Sequence, residues 1–359
     1  MIKVGVVGLG KMGLSHFSIV NAHPDTDVTV CDATGYLVDG LVKYTKVTAY
    51  KDFDELLEKE PLDAVMIVTP SKMHAGMVRK ALEKGLHVFC EKPFCLDWKD
   101  SEALTKLAEE KGLVSQVGYH YRYVGAFQEV KRIVDSGALG QITHVLAEAY
   151  GPVVLRPKGS TWRTQRAEGG GCLYDYAAHA INLVNWYFGE PSGVSGTVLN
   201  SIFSADTDDE VYSTLLYPSG MSAHLSVNWS DESQRKMSTR ITMTGTNGRL
   251  YADRQECQLY LREAVPALPE YQKGWNVRYT TDLTKEVDFY LRGEEYSAQI
   301  DDFVKAIIQK RRNTNNTFRE AAATDKTIAM IIADKDRSPS NSRATPVVAA
   351  PKKSWFSLK

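Results

Sequence analysis

The stretch Ile2-Lys3-Val4-Gly5-Val6-Val7-Gly8-Leu9-Gly10-Lys11-Met12-Gly13 decides the fold. A β-branched run passes directly into G-x-G-x-x-G, and Asp32 follows the next apolar run, Val28-Thr29-Val30, about 20 residues further on. In a strand–turn–helix unit each glycine has a task. Gly8 permits the tight turn, Gly10 lets the backbone approach a pyrophosphate, and Gly13 lets helix and strand pack closely. A helix from Gly13 to Asn21 then presents its N–H groups and partial positive charge to phosphates. Asp32 at the strand end accepts hydrogen bonds from ribose hydroxyls and repels the extra phosphate of NADP. With Ala33 and Thr34 beside it, no arginine neutralises that phosphate, so NAD is expected over NADP.

Outward from this loop, apolar runs at Ala64–Val68, His87–Phe89 and Leu113–Val117 alternate with helical segments at Lys72–Lys84 and Asp97–Lys111, closed by Gly85 and Gly112. That alternation predicts a parallel sheet buried on both faces. After residue 120 and a helix at Ala126–Asp135, strand follows strand: Ile142–Tyr150, Val194–Leu199, Glu210–Tyr217, Ser222–Trp229, Thr239–Thr244, Arg249–Ala252 and Gln258–Leu261. Short connections make this sheet antiparallel, with helices at Tyr176–Phe188, Ser297–Lys310 and Phe318–Asp334. The expected fold is α/β at the N-terminus plus an α+β domain with an open, mostly antiparallel sheet. Residues 1–120 form the dinucleotide-binding domain, 121–336 the substrate-binding and oligomerisation domain, and 337–359 a Ser/Pro-rich tail whose Trp355-Phe356 end can dock.

Composition narrows the function. With 43 Lys+Arg against 44 Asp+Glu, the chain has no electrostatic reason to bind nucleic acid or an anionic membrane. Five cysteines without C-x-x-C spacing suit neither a disulfide framework nor a zinc cage and fit a reducing compartment. The histidines lack paired ligand spacing, so no metal is expected. The N-terminus lacks signal-peptide form and no apolar stretch has bilayer length, so a soluble cytoplasmic protein is expected.

Thr69-Pro70 and Glu91-Lys92-Pro93 follow predicted parallel strands, at the ends where ligands bind in open α/β sheets. Lys92 precedes a proline and is therefore extended, which aims its side chain outward. In the second domain, Gly169-Gly170-Gly171-Cys172-Leu173-Tyr174-Asp175-Tyr176-Ala177-Ala178-His179 places Asp175 and His179 on one face of a helix. His179, with an ordinary pKa of about 6.5, suits a base for a hydroxyl proton, and Lys92 suits stabilisation of alkoxide character. Three roles are open to Asp175: orienting the imidazole, binding a substrate hydroxyl, or capping the helix.

These motifs, with His74, Gly85-Leu86-His87-Val88 and Gly118-Tyr119-His120-Tyr121-Arg122, resemble the Gfo/Idh/MocA oxidoreductases over about residues 2 to 330. The resemblance implies a Rossmann domain followed by an open-sheet domain, and a catalytic set of Lys92, Asp175 and His179. It implies cofactor contacts from Gly8, Leu9, Gly10, Lys11, Met12, Gly13, Asp32, Thr69, Pro70, His74, Glu91, Lys92, Trp162 and Arg163. Substrate contacts follow for Lys92, Arg122, Arg163, Asp175 and His179, with Arg156 and Lys158 as further cations for a carboxylate or phosphate. Where the family often has an Asp three residues past the histidine, this chain has Asn182. The implied activity is NAD-dependent oxidation of a secondary hydroxyl on a sugar, sugar nucleotide or cyclic polyol, in a homodimer or homotetramer packed through the C-terminal sheet. An NAD-binding regulator and an NAD-dependent glycoside-cleaving enzyme are the other readings.

Overall fold

The computed structural model describes residues 1–156 and 161–337, without the side chains of residues 36 and 37. Lys158 and the tail beyond residue 337 lie outside the described residues.

The N-terminal region runs β1 (Ile2–Val7), α1 (Lys11–Ala22), β2 (Thr26–Cys31), α2 (Gly35–Thr45), β3 (Thr48–Tyr50), α3 (Phe53–Lys59), β4 (Ala64–Ile67), α4 (His74–Glu83), β5 (His87–Cys90), α5 (Trp98–Glu110) and β6 (Ser115–Val117). The strands form one parallel sheet in the order β3-β2-β1-β4-β5-β6. Every residue of β4 is buried, as a strand covered on both faces must be. Each fully buried Val, Ile or Met there contributes about 1.5–3 kcal/mol. The order reverses between β1 and β4, and the loops after those strands carry the glycine run and Thr69-Pro70. Such a switch point is where this architecture opens a crevice.

The second region comprises α6 (Gly125–Asp135), β7 (Ile142–Tyr150), α7 (Ala178–Phe188), β8 (Gly193–Asn200), β9 (Glu210–Leu216), β10 (Ser222–Asn228), β11 (Ser238–Gly245), β12 (Gly248–Ala252), β13 (Glu256–Leu261) and β14 (Gly274–Tyr279), closed by α8 (Thr280–Leu283), α9 (Glu294–Ile308) and α10 (Phe318–Arg337). Its eight strands are ordered β14-β13-β12-β11-β7-β10-β9-β8. Short connections predict antiparallel pairing, which holds except between β7 and β10, which run parallel. The intervening helix and the β8–β9 hairpin lie between them in sequence and supply the crossover that parallel neighbours require. Val145, Ala147 and Ala149 face the helices, while His144, Leu146, Glu148 and Tyr150 alternate onto the uncovered face.

Helix α9 belongs by sequence position to the second region, yet it packs on the first. Tyr296, Ile300, Phe303 and Val304 join Val4, Val6, Met66 and Phe89 in one apolar cluster. The chain thus returns to cover the parallel sheet, and the N-terminus of α9 is carried to the crevice between the two sheets.

Candidate active site

The glycine loop divides as its residue types predict. Gly8 has φ +93°, and a Cβ there would meet the Val68 carbonyl oxygen at 2.7 Å. A Cβ on Gly13 would run into the Gly8 carbonyl. At Gly10, by contrast, a Cβ meets nothing within 4 Å. The loop therefore needs two of its glycines to fold and leaves the third facing open space. Helices α3 and α5 are capped by Asp52 and Asp97, but α1 begins at Gly10 with no side-chain cap. Its first-turn N–H groups have no competing side-chain acceptor, which is the condition for holding a pyrophosphate. Asp32 Oδ2 accepts from the Leu9 N–H at 2.5 Å and Oδ1 from the Thr34 N–H at 2.6 Å, so this carboxylate fixes the loop against the end of β2. Leu9 is buried, Met12 half-buried and Lys11 exposed.

Two loops meet behind this crevice through His74, whose ring lies between the Pro93 carbonyl (Nδ1, 2.8 Å) and the Thr69 carbonyl (Nε2, 2.9 Å). Burial lowers its pKa against the pull of those two acceptors. His74 and Glu91, which the resemblance places at the cofactor, are both buried. His74 staples the loop carrying Thr69 and the exposed Pro70 to the one carrying Lys92. Glu91 accepts from the buried His16 ring at 2.6 Å and from the Lys92 N–H at 3.0 Å, and its carboxylate lies where Gly118 has no side chain. Burial raises the Glu91 pKa, but His16 and Lys92 together hold it below the ordinary value.

The second region supplies the facing wall. Residues Leu173–Ala177 form a π-helical turn that passes into α7, a local widening often found at functional sites. Gly170 lies against the carbonyls of Trp162 and Arg163, and Gly171, at φ +110°, lies against the Asp208 carboxylate. The glycine run thereby folds the Trp162-Arg163 loop onto the start of this helix. Asp175 is then bracketed: Lys92 Nζ lies 2.6 Å from Oδ1 and Arg163 Nε 3.2 Å from Oδ2. Burial alone would raise the Asp175 pKa, and the two cations pull it below its usual value. Among the described residues its side chain neither caps the helix nor hydrogen-bonds to His179. Trp162 is half-exposed and lies under the Arg163 guanidinium, 4.4 Å from Cζ to the ring centre.

His179 is 4% exposed and its Nδ1 has no hydrogen-bond partner among the described residues. Around it stand Tyr121 (ring centres 4.9 Å apart), His120 (5.0 Å) and Tyr119 (5.7 Å). Burial, then the fields of Lys92 and Arg254, push its pKa well below the ordinary histidine value. The imidazole is thus neutral at physiological pH and free to accept a proton, and an orphaned nitrogen in such a ring calls for a functional explanation.

Arg122, which the resemblance places at the substrate, is braced in the interior. It is 1% exposed, donates to Asn182 Oδ1 at 2.8 Å and to the Asn315 carbonyl at 3.0 Å, and pairs with Glu320. Asn182 accepts from it and donates to Thr324 at 3.0 Å, so the residue in the family's Asp position holds α7 to α10. A buried guanidinium is tolerable only when so fully engaged. Arg156 is exposed. Sequence reasoning passed over His120, Arg254, Arg292 and Tyr296; only His120, beside Arg122 just after β6, carried a positional signal.

Residues 2–119 match the model described as an oxidoreductase family with an NAD-binding Rossmann fold, and residues 127–251 match the GFO/IDH/MocA C-terminal domain. The chain belongs to the GFO/IDH/MocA oxidoreductase family. It is 28% identical over 258 residues to a scyllo-inositol 2-dehydrogenase (NAD(+)) of Bacillus subtilis, covering 70% of this chain and 73% of that protein. Similarity to a 2,7-anhydro-N-acetylneuraminate hydratase of Escherichia coli is 27% over 301 residues, 80% of this chain and 78% of that one. An uncharacterized oxidoreductase of Schizosaccharomyces pombe is 31% identical over 199 residues, about half the length of each chain at 54%. The fold is that of levoglucosan dehydrogenase solved with NADH, with a TM-score of 0.82 at 22% identity over 93% of this chain and 97% of that one. Among the described residues no helix is long and apolar enough to cross a membrane, and no group of three or more His, Cys, Asp or Glu is placed to hold a metal ion.

Proposed function

We propose that the protein is an NAD-dependent dehydrogenase that oxidises a secondary hydroxyl of a sugar or cyclic polyol, or runs the reverse reduction. The observation that carries this reading is the 2.6 Å approach of Lys92, from the Rossmann side, to Asp175, from the facing wall, beside the neutral His179. The glycine loop, the uncapped start of α1 and Asp32 fit NAD, which supplies the hydride acceptor when bound. The chain's own residues do the rest. His179 takes the hydroxyl proton on an imidazole nitrogen, and the Lys92 ammonium stabilises the negative charge developing on the same oxygen. Asp175, held by two cations, keeps Lys92 in place and offers carboxylate oxygens to a neighbouring substrate hydroxyl.

A second reading draws on the E. coli relative, which is named as a hydratase and is similar over 80% of this chain. The same residues serve a cycle in which oxidation is transient and NADH never accumulates. The test is to follow NADH formation by near-UV absorbance with inositols, aldoses, uronic acids and nucleotide sugars, alongside product analysis. Net NADH supports the dehydrogenase; product without net NADH supports the cycling enzyme. We further propose that the uncovered sheet face is buried between copies in a homodimer or homotetramer, tested by light scattering.

A further inference from the structure

We infer that the substrate of this site carries an anionic group, received by Arg254 with Arg292 beside it. The inference rests on the dehydrogenase reading and names the substrate class for that site. Arg254 sits in the turn between β12 and β13, far in sequence from every motif above. Asp253 holds the turn by accepting from the N–H groups of Gln255 (2.8 Å) and Glu256 (3.2 Å). The Arg254 guanidinium lies 5.6 Å from the centre of the Tyr121 ring, which itself lies 4.9 Å from the His179 ring. Arg292 repeats the arrangement: it lies 5.4 Å from the centre of Tyr296, which stacks on His120 at 4.4 Å, and His120 packs edge-on against His179 at 5.0 Å. Two guanidinium groups therefore flank the ring cluster that carries the base.

Arg254 is only partly matched by the protein. Arg254 pairs with Glu295, which is 3% exposed and whose pKa burial raises, so that partner is a reluctant anion. The Arg254 side chain keeps 36% of its surface exposed. The charges acting on His179 are those of Lys92 and Arg254, and those acting on His120 are likewise cationic. Taking a proton makes His179 cationic among cations. That gain is balanced by the positive charge which hydride transfer removes from oxidised NAD, so what remains is the standing cationic excess of Lys92, Arg254 and Arg292 around the rings, which calls for a negative charge on the bound substrate. A carboxylate or phosphate on the substrate supplies it and matches the fork of a guanidinium.

The experiment is calorimetric titration of the NADH-loaded protein with glucose, glucuronate and glucose 6-phosphate, in wild type, Arg254→Gln and Glu295→Gln. The uronate and phosphate arms separate the two anion sources. The expected result is preference for one anionic sugar over glucose by at least about tenfold. Arg254→Gln, which removes the cation, should abolish that preference, and Glu295→Gln should strengthen it. Equal or better binding of glucose, no binding of either anion, or a preference that survives Arg254→Gln would overturn the inference. Turnover is read separately: NADH formed from neutral sugars alone keeps the dehydrogenase and removes the anion, whereas anion binding without any turnover removes the dehydrogenase and keeps the anion site.

Discussion

The ammonium of Lys92 lies 2.6 Å from Asp175 Oδ1, although the residues are 83 positions apart and belong to facing regions of the molecule. Both side chains are largely buried, at 16% and 11% exposure, so the pair closes the base of the crevice where the two walls meet. Lys92→Met is expected to lower kcat/KM about 100- to 1,000-fold through loss of the oxyanion donor. It should also destabilise by about 3 kcal/mol, because Asp175 is left with Arg163 alone. Adding Asp175→Asn should recover much of the stability and none of the activity; chemical denaturation and steady-state kinetics read the two effects apart.

Gly10 and Gly13 separate folding from binding. Gly13→Ala is expected to lower the melting temperature, since its Cβ has no room beside the Gly8 carbonyl. Gly10→Ala meets open space, so its melting temperature should be unchanged while NADH affinity falls at least about tenfold. An unaltered NADH Kd for Gly10→Ala would place the cofactor elsewhere.

Much of this site was legible because its signals are local. G-x-G-x-x-G with Asp32, Glu91-Lys92-Pro93 and D-x-x-x-H are each short runs whose backbone consequences follow from residue type. What sequence could not show is long-range. That Asn182, Asn315 and Glu320 converge on Arg122 is set by the fold and not by its neighbours in sequence. Arg254 looks like a turn residue until the folded sheet brings it over Tyr121. Helix α9 reads as part of the second region by position, because the amphipathic pattern records that a face is buried and not which sheet buries it.

The base predicts a pH profile. His179 is held well below 6.5 by burial and by Lys92 and Arg254, so the acid limb of kcat/KM for the oxidation should lie below pH 6.5. Arg254→Gln removes one cation, which favours the protonated ring, and the limb should move to higher pH. His179→Ala should cut turnover about 100- to 10,000-fold with NADH affinity unchanged; equal loss of both would mark a structural role.

Asp325 is a second titrating group, remote in role from the chemistry. Burial raises its pKa to about 7; Oδ2 accepts from the Cys95 N–H and Ser101 hydroxyl, while Oδ1 has no partner among the described residues. The folded state then holds a proton that the unfolded chain releases near 3.8, so stability falls as pH rises from about 4 to 7 and is flat above. The full span is about 4 kcal/mol. Asp325→Asn keeps an acceptor and cannot ionise, so its gain in melting temperature over the wild type should be larger at pH 8 than at pH 5.

Lys92, Asp175 and His179 together are expected to support oxidation of a sugar or polyol hydroxyl by NAD. The most direct test is absorbance of NADH when purified protein and NAD meet the panel of inositols, aldoses, uronic acids and nucleotide sugars, with Lys92→Met in parallel. The expected result is sustained NADH formation with one class of substrate and its loss in the variant. Binding of NADH with no reduction across the panel, or turnover that survives Lys92→Met, would contradict it.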